Sequence, residues 1–188
     1  SLGDVSVSPD GKKIAYSISD GGSDWRTWKV MDIETKEDLV DKIEWSKFSY
    51  ATWESDSSGF YYQKYEKPNE ALADVNRSPQ LYFHRLSDSQ KEDKLIYQDE
   101  QNPDRSWSIS VPEEGSYRVL SIGEGTDERN LVYIQFEKDT DFIPVINEFE
   151  ATYNFLGGVN NTLWFYTTSD APRGKVVSLN ITRDGQYS

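Results

Sequence analysis

The 188-residue sequence contains no cysteine, one histidine and no long apolar run. Without cysteine the chain can form no disulfide, no thiolate metal site and no cysteine nucleophile. No segment approaches the roughly 20 apolar residues needed to span a bilayer, and the first residues lack the pattern of a signal peptide. Membrane association is therefore not expected. Basic residues are also scarce: 20 Lys and Arg stand against 33 Asp and Glu, a formal net charge of -13. An acidic surface repels phosphate backbones, so nucleic acid is not an expected partner. Solubility is the ordinary use of such acidity. The missing cysteines leave the compartment open; cytoplasm is the expectation, with periplasm as the alternative.

A catalytic apparatus is missing too. Nucleophilic catalysis by serine needs a histidine to take its proton and a strained turn to present it. The one histidine, His84, lies inside Leu81-Tyr82-Phe83-His84-Arg85-Leu86, where strand alternation makes a packed or edge residue the ordinary reading. No G-x-S-x-G occurs; Gly21-Gly22-Ser23-Asp24-Trp25 comes nearest and fails at its last position. Asp139-Thr140-Asp141 lacks the glycine and distal glutamate of a calcium loop. No phosphate-cradling G-x-x-x-x-G-K-[ST] is present. The chain is expected to carry no catalytic residue, no metal ligand and no cofactor.

Turns and short strands are what it does carry. Pro9-Asp10-Gly11 is a tight-turn signal, since Pro presets φ, Asp bonds its own turn and Gly accepts φ > 0. Ile14, Tyr16 and Ile18 then alternate with Ala15 and Ser17, the period of a half-buried strand. Asp20-Gly21-Gly22-Ser23 turns the chain, and Trp28, Val30 and Ile33 carry the next strand. The same unit returns after Ser58-Gly59, Glu114-Gly115 and Asn160-Asn161, roughly 50 residues apart, the period of propeller blades. Aromatic residues at 14% suit sheets stacked face to face. The expected fold is all-β, a partial β-propeller of about four blades of four-stranded antiparallel sheet.

The units are expected over residues 1–40, 41–99, 100–146 and 147–188 of a single domain. Lys36 to Asp41 reads as a charged connector. Glu66 to Pro79 reads as an inserted loop at a blade edge. The final residues, Thr182 to Ser188, hold a turn signal with no strand after it, which suggests a segment of a larger protein.

Several stretches taken together resemble the propeller of the prolyl oligopeptidase family. Gly22-Ser23-Asp24-Trp25 followed by Lys29-Val30-Met31-Asp32 resembles its first complete blade. Lys47-Phe48-Ser49 with Trp53 resembles the next blade entry, and Leu81-Tyr82-Phe83-His84 its L-Y-[YF]-H strand. Leu163 to Lys175, with Asp170-Ala171-Pro172 at its turn, resembles another family segment. The four stand in order along the whole chain.

The resemblance implies part of a serine endopeptidase that cleaves short peptides after proline. In that family a seven-bladed propeller covers an α/β-hydrolase domain that carries the Ser, Asp and His. This chain would supply about four blades, none of the triad, and be inactive alone. Its partners would be its own hydrolase domain and short proline-containing peptides. The resemblance places Phe48 on the pocket beyond the proline subsite, where an aromatic ring offers apolar area to a peptide side chain. It places a second lining residue at Ser106 or Trp107, of which Trp107 suits the role better. Gly123 stands where animal members carry an arginine that binds the substrate backbone, and Arg129 is a nearby cation in sequence. Two rivals share the four-strand repeat. A WD40-like interaction module should show Gly-His and Trp-Asp pairs at fixed positions, and these are absent. An oligopeptidase B-like propeller would look similar, with cleavage after basic residues.

Overall fold

The computed structural model describes residues 1–66, 77–114 and 116–182. The expected loop from Glu66 to Pro79 lies mostly outside them, as do Gly115 and the last six residues of the terminal turn signal. The chain divides into two compact units, Ser1–Arg105 and Ser106–Ser188.

The first unit holds two four-stranded sheets, each a simple antiparallel meander. One comprises β1 (Leu2–Val7), β2 (Lys13–Ser19), β3 (Arg26–Asp32) and β4 (Asp38–Ser46); the other β5 (Thr52–Trp53), β6 (Gly59–Lys64), β7 (Gln80–Arg85) and β8 (Lys94–Tyr97). Two details differ from the sequence expectation. Most of the segment read as a charged connector, Asp38 to Asp41, is the first part of β4. Its alternation was hidden because the inward position between Leu39 and Ile43 is an aspartate, Asp41, 2% exposed. On β2 the large residues Ile14, Tyr16 and Ile18 do not form the buried face; Ala15 and Ser17 do. The cause is across the sheet, where Ser17 pairs with Trp28 and Ala15 with Val30. Small residues on β2 leave room for the indole of Trp28, which is fully buried.

Between these sheets lies one core: Ala15, Trp28, Val30 and Ile43 from the first, and Ala51, Trp53, Phe60 and Tyr62 from the second. Full burial of one such large side chain contributes about 1.5–3 kcal/mol. Hydrogen bonds add register, from Trp53 Nε1 to the Ser6 carbonyl at 3.1 Å and from the Asp10 amide to Ser57 Oγ at 3.1 Å. Gly59, at the start of β6, is needed for close approach rather than for a turn. A Cβ there would sit 2.1 Å from the His84 carbonyl oxygen. Between β7 and β8 a short 3-10 helix (Gln90–Glu92) is closed by a capping box of Ser89 and Glu92.

The second unit repeats the design. Its sheets are β9 (Arg105–Ser110), β10 (Tyr117–Glu124), β11 (Asn130–Phe136) and β12 (Ile143–Ile146), then β13 (Tyr153–Val159), β14 (Thr162–Thr167) and β15 (Lys175–Asn180). The last sheet has three strands among the described residues. Tyr117, Val119, Val132, Ile134, Leu163 and Phe165 belong to a shared core. The Asn130 side chain joins the two sheets: its Nδ2 donates to the Tyr153 carbonyl at 3.0 Å, and its Oδ1 accepts from the Tyr153 amide at 2.7 Å. Gly158 makes room for the phenol, because a Cβ there would lie 1.8 Å from Tyr117 Oη.

Candidate functional site

The end of β4 leads into a segment with unusual backbone. Trp45 and Phe48 have φ of 62° and 49°, a left-handed conformation that large side chains seldom adopt. The chain is pinned there from several directions. The Tyr65 amide donates to the Trp45 carbonyl at 3.0 Å. Ser46 Oγ accepts from Trp28 Nε1 at 3.2 Å and donates to the Gln63 carbonyl at 2.8 Å. Gln63 Nε2 donates to the Phe48 carbonyl at 3.0 Å, and the Gln63 amide to Ser49 Oγ at 2.7 Å. The outcome is display: Phe48 is 53% exposed and Tyr50 71%.

Beside them opens a cleft of about 290 Å³ lined by Asp4, Asp24, Arg26, Phe48, Ser49 and Tyr50. Arg26 is held by Asp4, Nη1 to Oδ2 at 2.8 Å. A second cavity of about 380 Å³ shares Arg26 and includes Trp25, Trp45 and Glu44 in its wall. An aromatic surface with charge of both signs at its edge suits an extended peptide, with an apolar side chain on the rings. It offers no nucleophile paired with a base.

The other sequence candidates lie elsewhere. Trp107 is on β9 in the second unit and is 3% exposed. Gly123, on β10, faces open space: a Cβ would find only Ser106 Oγ, at 3.8 Å. Space does not dictate glycine at that position. Arg129 is engaged by Asp127, its Nε donating to Oδ1 at 2.9 Å and to Oδ2 at 3.1 Å. Hydrogen bonds from the Arg129 side chain and then its amide, with a smaller help from its charge, hold the pKa of the Asp127 carboxyl down to about 2. Arg129 therefore has its own carboxylate and is not a cation held ready at Gly123.

His84 is the residue that sequence reasoning most undervalued. It is fully buried, with Nε2 2.9 Å from Asp41 Oδ1 and Nδ1 2.7 Å from Asp93 Oδ1. Both carboxylates are sealed as well. Burial by itself would drive the imidazole neutral, but the two carboxylate hydrogen bonds outweigh it and raise its pKa to about 9. At neutral pH the ring is a cation with both N–H groups donating. Burial likewise opposes the charge on Asp41, yet hydrogen bonds from His84 and the Ser87 amide keep its pKa below the ordinary value. Tyr62 completes the network by donating to Asp93 Oδ2 at 2.6 Å. Burial first, and that bond second, push the phenol far up. Asp41 belongs to β4 and His84 to β7, so the cluster joins the two sheets of the first unit. It is enclosed and bonded to carboxylates on both sides, which is a structural and not a catalytic arrangement. An aspartate at an inward strand position was the signal available in the sequence.

Comparison with known proteins agrees with this fold. Residues 1–187 match the family described as "Prolyl oligopeptidase, N-terminal beta-propeller domain". The chain belongs to that family. A prolyl endopeptidase of Elizabethkingia meningoseptica is 36% identical over 183 residues, covering 96% of this chain and 26% of the relative. A structure of prolyl oligopeptidase B from Galerina marginata, bound to a 35mer hydrolysis and macrocyclization substrate, superposes with a TM-score of 0.92 at 27% identity, over 100% of this chain and 29% of that one. Oligopeptidase B from Leishmania major, at 17% identity and a TM-score of 0.73 over 95% of this chain and 24% of that one, shares the fold. The chain thus spans about a quarter of the length of these relatives. Among the described residues no helix is long and apolar enough to cross a membrane.

Proposed function

We propose that this chain is the part of a prolyl oligopeptidase-type propeller that covers the active site of a serine endopeptidase and restricts entry to short peptides. The catalytic Ser, Asp and His belong to an α/β-hydrolase domain of the same enzyme, and this chain alone is inactive. Within it, Phe48 lines the pocket for the residue upstream of the substrate proline.

The observation that carries this reading is the display of Phe48. A large ring is half exposed, on left-handed backbone, at the mouth of a cleft. Strained backbone is retained where the surroundings over-determine it and is concentrated at functional sites. Phe48 carries the lining role; Trp107, 3% exposed, offers a peptide little surface.

In the complete enzyme, Phe48→Ala is expected to raise KM for peptides with a bulky residue upstream of proline and to leave kcat nearly unchanged. Uniform binding is what such a change removes. An unaltered KM across a series of such peptides would take Phe48 out of the pocket. Cleavage of proline reporters over arginine reporters separates this reading from the oligopeptidase B-like one.

A further inference from the structure

We infer that Lys47 and Gln63 are positioning residues that aim Phe48 at the substrate, an inference that rests on the lining role proposed for Phe48. Lys47 precedes Phe48 in sequence and is only 5% exposed. Its ammonium lies 4.2 Å from the centroid of the Trp25 ring, 5.2 Å from Tyr65 and 5.9 Å from Phe48 itself. Trp25 packs edge-on against Tyr65 and Trp45, with centroids 6.4 and 5.7 Å apart. A cation over aromatic faces, withdrawn from water, is held by the ring quadrupoles.

The geometry explains why the lysine bears on its neighbour. At φ of 49°, Phe48 sits at a bend of the chain with its ring near the same ammonium that Trp25 and Tyr65 face, so holding the Lys47 side chain in place holds the Phe48 ring in place. Gln63 secures the far side of that bend through the Phe48 carbonyl and Ser49 Oγ. Released from either hold, Phe48 can return to φ < 0, where most side chains belong, and its ring leaves the cleft.

The test uses steady-state kinetics on the complete enzyme, and hydrogen exchange of the segment 46–50 on both the enzyme and the 188-residue chain. Lys47→Met is expected to raise KM several-fold for peptides with a bulky residue upstream of proline, with kcat unchanged and no effect where that residue is glycine. Lys47→Arg, which keeps a stacking cation, is expected to restore the KM. In a Phe48→Ala background Lys47→Met should add nothing, because the two act as one unit. Exchange at 46–50 should quicken by about tenfold as the segment opens locally. If Lys47→Met cannot be produced folded, Trp25→Leu removes the nearest ring at a half-buried position and should give the same readouts.

The outcomes separate the two claims. A KM that rises in Phe48→Ala but not in Lys47→Met overturns the positioning role and leaves the lining role standing. A KM unmoved by both variants overturns both. Exchange unchanged in Lys47→Met overturns the hold on Phe48 whatever the kinetics show.

Discussion

Among the described residues of the first unit, two enclosed cations are held in different ways. His84 lies between two carboxylates, at 2.9 Å from Asp41 and 2.7 Å from Asp93. Lys47 lies against rings, 4.2 Å from the Trp25 centroid. The first arrangement joins two sheets by formal charges and short hydrogen bonds. Its strength depends on every partner keeping its protonation state. The second sets the ammonium among three rings and leaves a neighbouring phenylalanine half exposed. Carboxylates make a latch, whereas rings make a mount. The difference is one between holding blades together and holding a side chain out.

The largest effect separating the two should come from breaking the latch. Asp41→Ala leaves a buried imidazole without one of its partners and the Ser87 amide without its acceptor. Removing one member of a buried pair costs about 3–5 kcal/mol. Denaturant titration should show that loss, and a smaller one for Lys47→Met, which takes the cation away from its rings.

Next in size is the pH dependence that the latch should have. The His84 pKa is raised from 6.5 to about 9, so its contribution is full below about 6.5 and is lost as pH rises through about 9. Asp41 is lowered from 3.8, so its contribution is present above that value and is lost as pH falls below it. Stability should therefore be highest between these limits. The alkaline loss is about 3 kcal/mol at 1.36 kcal/mol per pKa unit. Thermal melts from pH 6 to pH 10 should record a falling Tm. In His84→Gln that alkaline slope should flatten, while Lys47→Met should keep it.

The smallest effect has the opposite sign. Phe48 is 53% exposed at a φ of 49°, so it gives up little burial when replaced and its backbone is strained. Phe48→Asn places a residue that tolerates this conformation and should stabilise the chain by about 0.5–1 kcal/mol. A gain in Tm accompanied by a poorer KM would identify a position where stability is given up for function. A loss of stability would mean that the ring supports the fold.

Much of the architecture was legible in the sequence for plain reasons. The turn signals at Asp10-Gly11, Ser58-Gly59, Glu114-Gly115 and Asn160-Asn161 disclosed the repeat by their spacing, and Gly59 also marks a place where strands approach too closely for a Cβ. Leu163-Trp164-Phe165-Tyr166, read as a strand, is one, with Leu163 and Phe165 fully buried. What misled was chemistry that depends on the far side of a contact. Asp41 broke the apolar pattern of β4 because its partner, His84, is distant in sequence and adjacent only in the fold. Ala15 and Ser17 looked like the solvent face until Trp28 was found opposite them. The site was half legible. Phe48 and its neighbour Lys47 stood in a recognisable stretch, but the left-handed backbone and the burial of the lysine follow from Gln63, Trp25 and Tyr65, which no local pattern connects.

The chain has a single histidine, so one NMR titration of the labelled imidazole reads the latch directly. A ring that stays doubly protonated through neutral pH and titrates near 9, with both N–H protons protected from solvent, is the expected result. A midpoint at or below the ordinary 6.5, or rapidly exchanging N–H protons, would show that His84 is not a cation locked between Asp41 and Asp93.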